Sequence, residues 1–266
     1  MRAVRFPALV LLGALAGVAC GSTPAAPTPP PTPPPVTPDP PAPTPDPEPE
    51  PVPAPVLAKT RILAFGDSLT NGEDTPVDAF VLALAGPGVD RSYPFKLQAL
   101  LRARYYDQTI DVFNGGVDGE RAADAGSHLR DFIAETQPQV IIIMHGVNDL
   151  IAGVPVGQVV DALEDLVKEA KARGLDVLLS TLPPQNPNGT KGLELGDEIE
   201  DYNFEIRRFA ADKGAVPVDV YPQITLDMIG PDGLHLTQAG NQRLAEIYFD
   251  TLRSLYEQAP GTLRRR

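Results

Sequence analysis

Between residues 61 and 220, short apolar runs rich in β-branched side chains recur, each bounded by turn residues and separated from the next by stretches with helical spacing. This alternation predicts strands at 61–65, 110–113, 140–144, 175–181 and 216–220, and helices at 94–106, 121–135, 157–173, 197–213 and 238–258. Ile141, Ile142 and Ile143 are consecutive, so both faces of that strand need cover, as in the interior of a parallel sheet. Val159, Leu163, Val167 and Ala170 repeat at three- and four-residue steps and form a core-facing stripe, and Thr237 stands where it can cap the last helix. Strands and helices in this order, joined by right-handed crossovers, predict the α/β class: a three-layer α/β/α sandwich around a five-stranded parallel sheet.

In such sheets ligands bind beyond the carboxyl ends of the strands, so the segments that follow each strand carry the functional information. After the first strand comes Gly66-Asp67-Ser68-Leu69-Thr70-Asn71-Gly72, a turn that sets a hydroxyl at the strand end; it lacks the lysine of a phosphate-binding loop. Asn114-Gly115-Gly116-Val117-Asp118-Gly119 follows the second strand and reads as a turn whose glycines let the backbone approach a ligand. His145-Gly146-Val147-Asn148-Asp149 follows the third and offers a side-chain amide. After the fifth, Asp232-Gly233-Leu234-His235 sets an acid three residues before a base. Each fragment alone has an ordinary structural reading as a turn, a cap or a local hydrogen bond. All four fall on one rim.

Together these fragments resemble the GDSL, or SGNH, hydrolases, with the likeness running from about Ile62 to Leu252. That resemblance implies a flavodoxin-like sandwich and an esterase or lipase with Ser68 as nucleophile, His235 as base and Asp232 as the acid that orients it. It also implies an oxyanion hole formed by Ser68, Gly119 and Asn148, and no cofactor. The chemistry is consistent, since a serine hydroxyl needs a base to attack a carbonyl and the base needs an acid to hold its tautomer. Ser92-Tyr93-Pro94 and Gly119-Glu120-Arg121 look like those of bacterial lysophospholipase-like and arylesterase-like members. A longer stretch from Asp74 to Arg91, apolar at 79–84, reads equally as a cleft-side flap for acyl chains or as a surface helix. His128 and His145 have no close-spaced partner of ligand type, so no metal is expected; His145 reads as a packing residue behind the cleft, with a place in the cleft lining as the alternative.

Proline sets the organisation before the domain. Of 31 prolines, 18 lie between Pro24 and Pro55, in a stretch with almost no large apolar side chains, which predicts a solvated, semi-rigid tether reaching at most ~100 Å. It carries no basic anchor of an SH3 ligand. Upstream, Arg2 and Arg5 precede an apolar run from Phe6 to Ala19 that is too short to span a bilayer comfortably and ends at Cys20, the single cysteine. The arrangement resembles a bacterial lipoprotein signal, although Gly17 stands where such signals usually have leucine, and implies export with a lipid anchor at Cys20; ordinary signal cleavage is the alternative. The expected units are therefore a signal at 1–20, a tether at 21–56, a catalytic domain at 57–260 and a basic tail at 261–266.

From Val56 onward there are 20 basic and 31 acidic residues, a balance that repels nucleic acid and favours neutral or zwitterionic substrates. A small-molecule or lipid ester is the expected substrate. Two alternatives remain open at this point: an O-acetyl esterase acting on a polysaccharide, and a tethered binding module without turnover.

Overall fold

The hydrophobic centre is strand β4 (Val140–Met144), buried along its whole length. Its neighbours supply the rest of a five-stranded sheet: β2 (Arg61–Gly66), β3 (Asp111–Gly116), β5 (Asp176–Ser180) and β6 (Val216–Val218), in the order β3-β2-β4-β5-β6, every pair parallel. A two-residue strand β1 (Val56–Leu57) pairs antiparallel with β7 (Glu257–Gln258) at the end of the chain. The computed structural model describes residues 54–72, 91–191, 193 and 195–259. The signal, all but the last residues of the tether, the 74–91 stretch except Arg91, and the basic tail lie outside them.

Helices cover both faces. Helix α2 (Tyr93–Arg104) packs on α7 (Gln238–Tyr256), while α3 (Gly126–Thr136), α5 (Val156–Ala172) and α6 (Gly196–Asp212) form a contiguous row. The side chains of adjacent strand residues show that these are opposite layers. Phe65 meets Phe132 of α3 edge-on, and its register partner is Ile143; the next residue, Met144, instead receives the Tyr248 hydroxyl of α7. Two short helices, α1 (Ser68–Asn71) and α4 (Val147–Ile151), begin where β2 and β4 end.

The connection from β2 runs to one side of the sheet and the next returns across it to β4, so the order reverses between these two strands. The two strands stay paired to their last residues, Gly66 and Met144, and the segments leaving them head to opposite sides, the place where such sheets bind ligands. Thr237 caps α7 as expected, its hydroxyl accepting from the Gly240 amide.

Several boundaries differ from the sequence expectation. Strand β3 runs on through Asn114-Gly115-Gly116, expected as a turn, because these three residues pair in register with Ala64 to Gly66 of β2. Helix α3 begins at Gly126 rather than 121: residues 122–125 form turns, and the Ala122 amide is drawn to the Asp149 carboxylate at 2.8 Å. The last helix stops at Tyr256, where the chain straightens to pair with β1.

Candidate active site

Ser68 stands at the junction of β2 and α1. The preceding Asp67 caps the turn: its Oδ1 accepts from the Leu69 amide at 3.0 Å, and its carbonyl accepts from Thr70 and Asn71. This geometry holds Ser68 at the first position of the helix, 8 % exposed. Burial raises the Asp67 carboxyl to about 6, since its second oxygen has no hydrogen-bond partner among the described residues.

His235 arrives from the far end of the chain. Its Nε2 lies 2.8 Å from Ser68 Oγ and its Nδ1 lies 2.5 Å from Asp232 Oδ2. With the Nδ1 hydrogen directed at the carboxylate, Nε2 is left as the acceptor for the serine hydroxyl. Asp232 is itself fixed, because its Oδ1 accepts the amides of both Leu234 and His235 at 3.0 Å. Burial works against its charge, but those amides, the imidazole and the Lys191 ammonium outweigh it and hold the carboxyl well below the usual range.

Lys191 was not anticipated from the sequence. Its Nζ is 3.1 Å from Asp232 Oδ2 and 3.3 Å from His235 Nδ1. As Nδ1 already carries a hydrogen directed at Asp232, the ammonium acts there as a neighbouring charge. It is delivered by backbone pairing between two loops: Asn186 N–H to Gly233 C=O, Thr190 N–H to Pro231 C=O and Lys191 N–H to Asp232 C=O.

Opposite the serine, Gly119 occupies the third position of a turn closed by the Glu120 amide on the Val117 carbonyl, with φ +72°. There is open space where a Cβ would lie, so backbone conformation and not crowding calls for glycine. Asn148, in α4, donates from Nδ2 to the Glu120 carbonyl at 2.9 Å. Ser68, Gly119, Asn148 and His235 share one cavity of about 330 Å³, whose apolar wall is Ile151, Leu193 and Leu234. The structure thus brings together Ser68, His235 and Asp232 in bonded sequence and sets Gly119 and Asn148 on the same cavity. Cys20 lies outside the described residues.

His128 and His145, considered separately in the sequence, meet on one carboxylate. The fully buried His145 accepts the Gly146 amide at Nδ1 and directs Nε2 to Glu120 Oε2 at 3.3 Å, while the His128 ring bonds the other oxygen. Burial opposes charge on Glu120, but the two rings hold its carboxyl below the ordinary range. Among the described residues no three His, Cys, Asp or Glu side chains gather in a manner suited to a metal ion.

A parallel α/β sandwich with a serine, a histidine and an aspartate in hydrogen-bonded sequence at its carboxyl rim defines a class of hydrolase-like proteins. Within that class the chain belongs to the GDSL-like Lipase/Acylhydrolase family, which matches residues 64–243. It is 28% identical over 167 residues to Esterase TesA of Pseudomonas aeruginosa, covering 59% of this chain and 78% of that protein. Over 130 residues it is 25% identical to an arylesterase of Vibrio mimicus, covering 48% of this chain and 58% of the other. In fold it is similar to the acetylxylan esterase Axe2 of Geobacillus stearothermophilus, with TM-score 0.59, 19% identity, and coverage of 74% of this chain and 96% of that one.

Proposed function

We propose that the chain is a carboxylic ester hydrolase working through an acyl-Ser68 intermediate on small-molecule esters: aryl esters, lysophospholipids or esters of short-to-medium acyl chains. The observation that carries this reading is the 2.8 Å approach of His235 Nε2 to Ser68 Oγ, with Asp232 behind the ring. In the proposed reaction Ser68 Oγ attacks the ester carbonyl as Nε2 takes its proton. The tetrahedral oxyanion sits between the amides of Ser68 and Gly119 and the Nδ2 of Asn148. As it collapses, His235 returns the proton to the leaving alcohol, and water repeats the cycle on the acyl-enzyme. The oxyanion donors act on charge that exists only in the transition state, so Asn148→Ala should lower kcat by about 10²–10³ with little change in KM.

A fluorophosphonate probe tests the central claim. Wild-type protein should be labelled at Ser68 and Ser68→Ala should not; equal labelling of both would identify another nucleophile. His235→Ala and Asp232→Ala should lose most turnover while keeping a cooperative thermal transition. The apolar wall of Ile151, Leu193 and Leu234 supports an acyl chain longer than acetyl. Comparing kcat/KM for p-nitrophenyl acetate, p-nitrophenyl octanoate and an acetylated glycan tests that, and preference for the glycan would replace it with an O-acetyl carbohydrate esterase.

The proposal extends to the amino terminus. Export, with lipidation at Cys20 and a proline-rich tether joining that anchor to the catalytic domain, is supported by the order of charge, apolar run, cysteine and proline. Incorporation of a palmitate analogue in bacterial cells, abolished by Cys20→Ser, is the expected result.

A further inference from the structure

The turn that carries Gly119 is exposed at its tip and buried immediately afterwards. Asp118 and Gly119 are open to solvent, whereas Glu120 is 9 % exposed. Tips of this kind are usually mobile, and a buried carboxylate is costly unless it is paired. Here Glu120 has partners on both oxygens, from two different elements: His145 at the end of β4 and His128 in α3.

Its backbone is engaged as well. The Glu120 amide closes the turn on Val117, which orients the Gly119 peptide, and the Glu120 carbonyl takes one hydrogen of the Asn148 amide. One residue therefore touches both arms of the proposed oxyanion site. Two further bonds join the same segments, Ala122 N–H to Asp149 Oδ2 at 2.8 Å and Asn71 Nδ2 to Asp118 Oδ1 at 2.9 Å. The second of these is exposed to water and contributes little rigidity.

We propose that Glu120 is a positioning residue: gripped between the His145 and His128 rings, it sets the aim of both oxyanion donors, the Gly119 amide and the Asn148 side chain. The inference rests on the reading of Ser68 as an acylated nucleophile. It does not require Glu120 to touch substrate. His128 becomes an outer brace, half-exposed, whose loss frees one carboxylate oxygen without disturbing the core.

The experiment uses the full chain. Fluorophosphonate labelling of wild type and Ser68→Ala comes first, and failure of wild type to label at Ser68 or to hydrolyse p-nitrophenyl acetate sinks the underlying reading before any Glu120 variant is considered. With that reading intact, Glu120→Ala should lower kcat about 10²-fold or more while KM moves less than about threefold, the pattern of a lost transition-state interaction. Glu120→Gln keeps an acceptor for one ring and should recover about tenfold of the loss, and His128→Ala should cost about three- to tenfold in kcat at an unchanged Tm. The proposal is overturned if Glu120→Ala keeps wild-type kcat, or if Glu120→Gln is no better than Glu120→Ala and both lose thermal stability in proportion. Should Glu120→Ala fail to fold, wild-type kcat in both Glu120→Gln and His128→Ala overturns it equally.

Discussion

Asp67 is completely buried, and one of its oxygens has no hydrogen-bond partner among the described residues and faces the His145 ring at 3.8 Å, yet it caps the turn that presents Ser68. With its carboxyl raised from 3.8 to about 6, the folded chain binds more protons than the unfolded chain between those values. The sign follows: this group makes the fold more stable as pH falls from about 6 toward 4, and its ionised form costs stability above 6. Asp67→Asn, which can still accept from Leu69, should therefore raise stability at pH 8, by up to about 3 kcal/mol, and flatten the dependence between pH 4 and 6. Chemical denaturation at pH 5 and pH 8 checks both. Lys191→Met should lower kcat/KM several-fold by loosening Asp232, and Lys191→Arg should restore most of it, as read by ester hydrolysis. That the segments carrying Ser68, Gly119, Asn148, Asp232 and His235 would gather on one rim was legible because they come after strands of an α/β sheet, while the role of each residue came only from the family likeness. Lys191 was not legible, because a lysine in a long loop has no pattern of its own and is delivered by pairing between backbones 41 to 47 residues apart in sequence. Glu120 was quoted only as part of a family likeness; its burial between two histidines comes from tertiary packing alone.

At the level of elements, the alternating pattern located all five strands of the main sheet and all five of the longer helices described, since each buries a stripe long enough to show its period. The errors lie at ends where a distant segment decides the outcome. Asn114-Gly115-Gly116 carries turn composition, but β2 supplies a pairing partner for every residue. The short helices α1 and α4 carry too few residues to display periodicity, and both exist because strand-end turns close on them. Gly146 begins α4 with φ +106°, and a Cβ there would come within 2.9 Å of Val159 Cγ1 and 3.3 Å of Tyr202. Gly146→Ala should accordingly destabilise the fold by about 2–4 kcal/mol, measurable as a lower midpoint of urea unfolding, and should displace Asn148 with it.

Over the whole molecule, the described residues fall in one compact unit, Pro51–Arg266. Its first and last strands meet at the amino end of the sheet. Leu57 exchanges two hydrogen bonds with Gln108, Glu257 accepts from Nε and Nη2 of Arg104, and Asp176 at the start of β5 is reached by Lys59 and by the Tyr256 hydroxyl. Removing residues 1–50 should leave kcat/KM within about twofold of the full chain. Removal through Ala58 takes away the fully buried Leu57 and β1, and should lower Tm by several degrees in a thermal scan. The pairing of β1 with β7 also fixes a polarity. Backbone reaches β1 and leaves β7 at the amino ends of the strands while the cavity lies at their carboxyl ends, so a tag, resin or fused protein joined directly at Val56 or Gln258 would sit on the side away from Ser68.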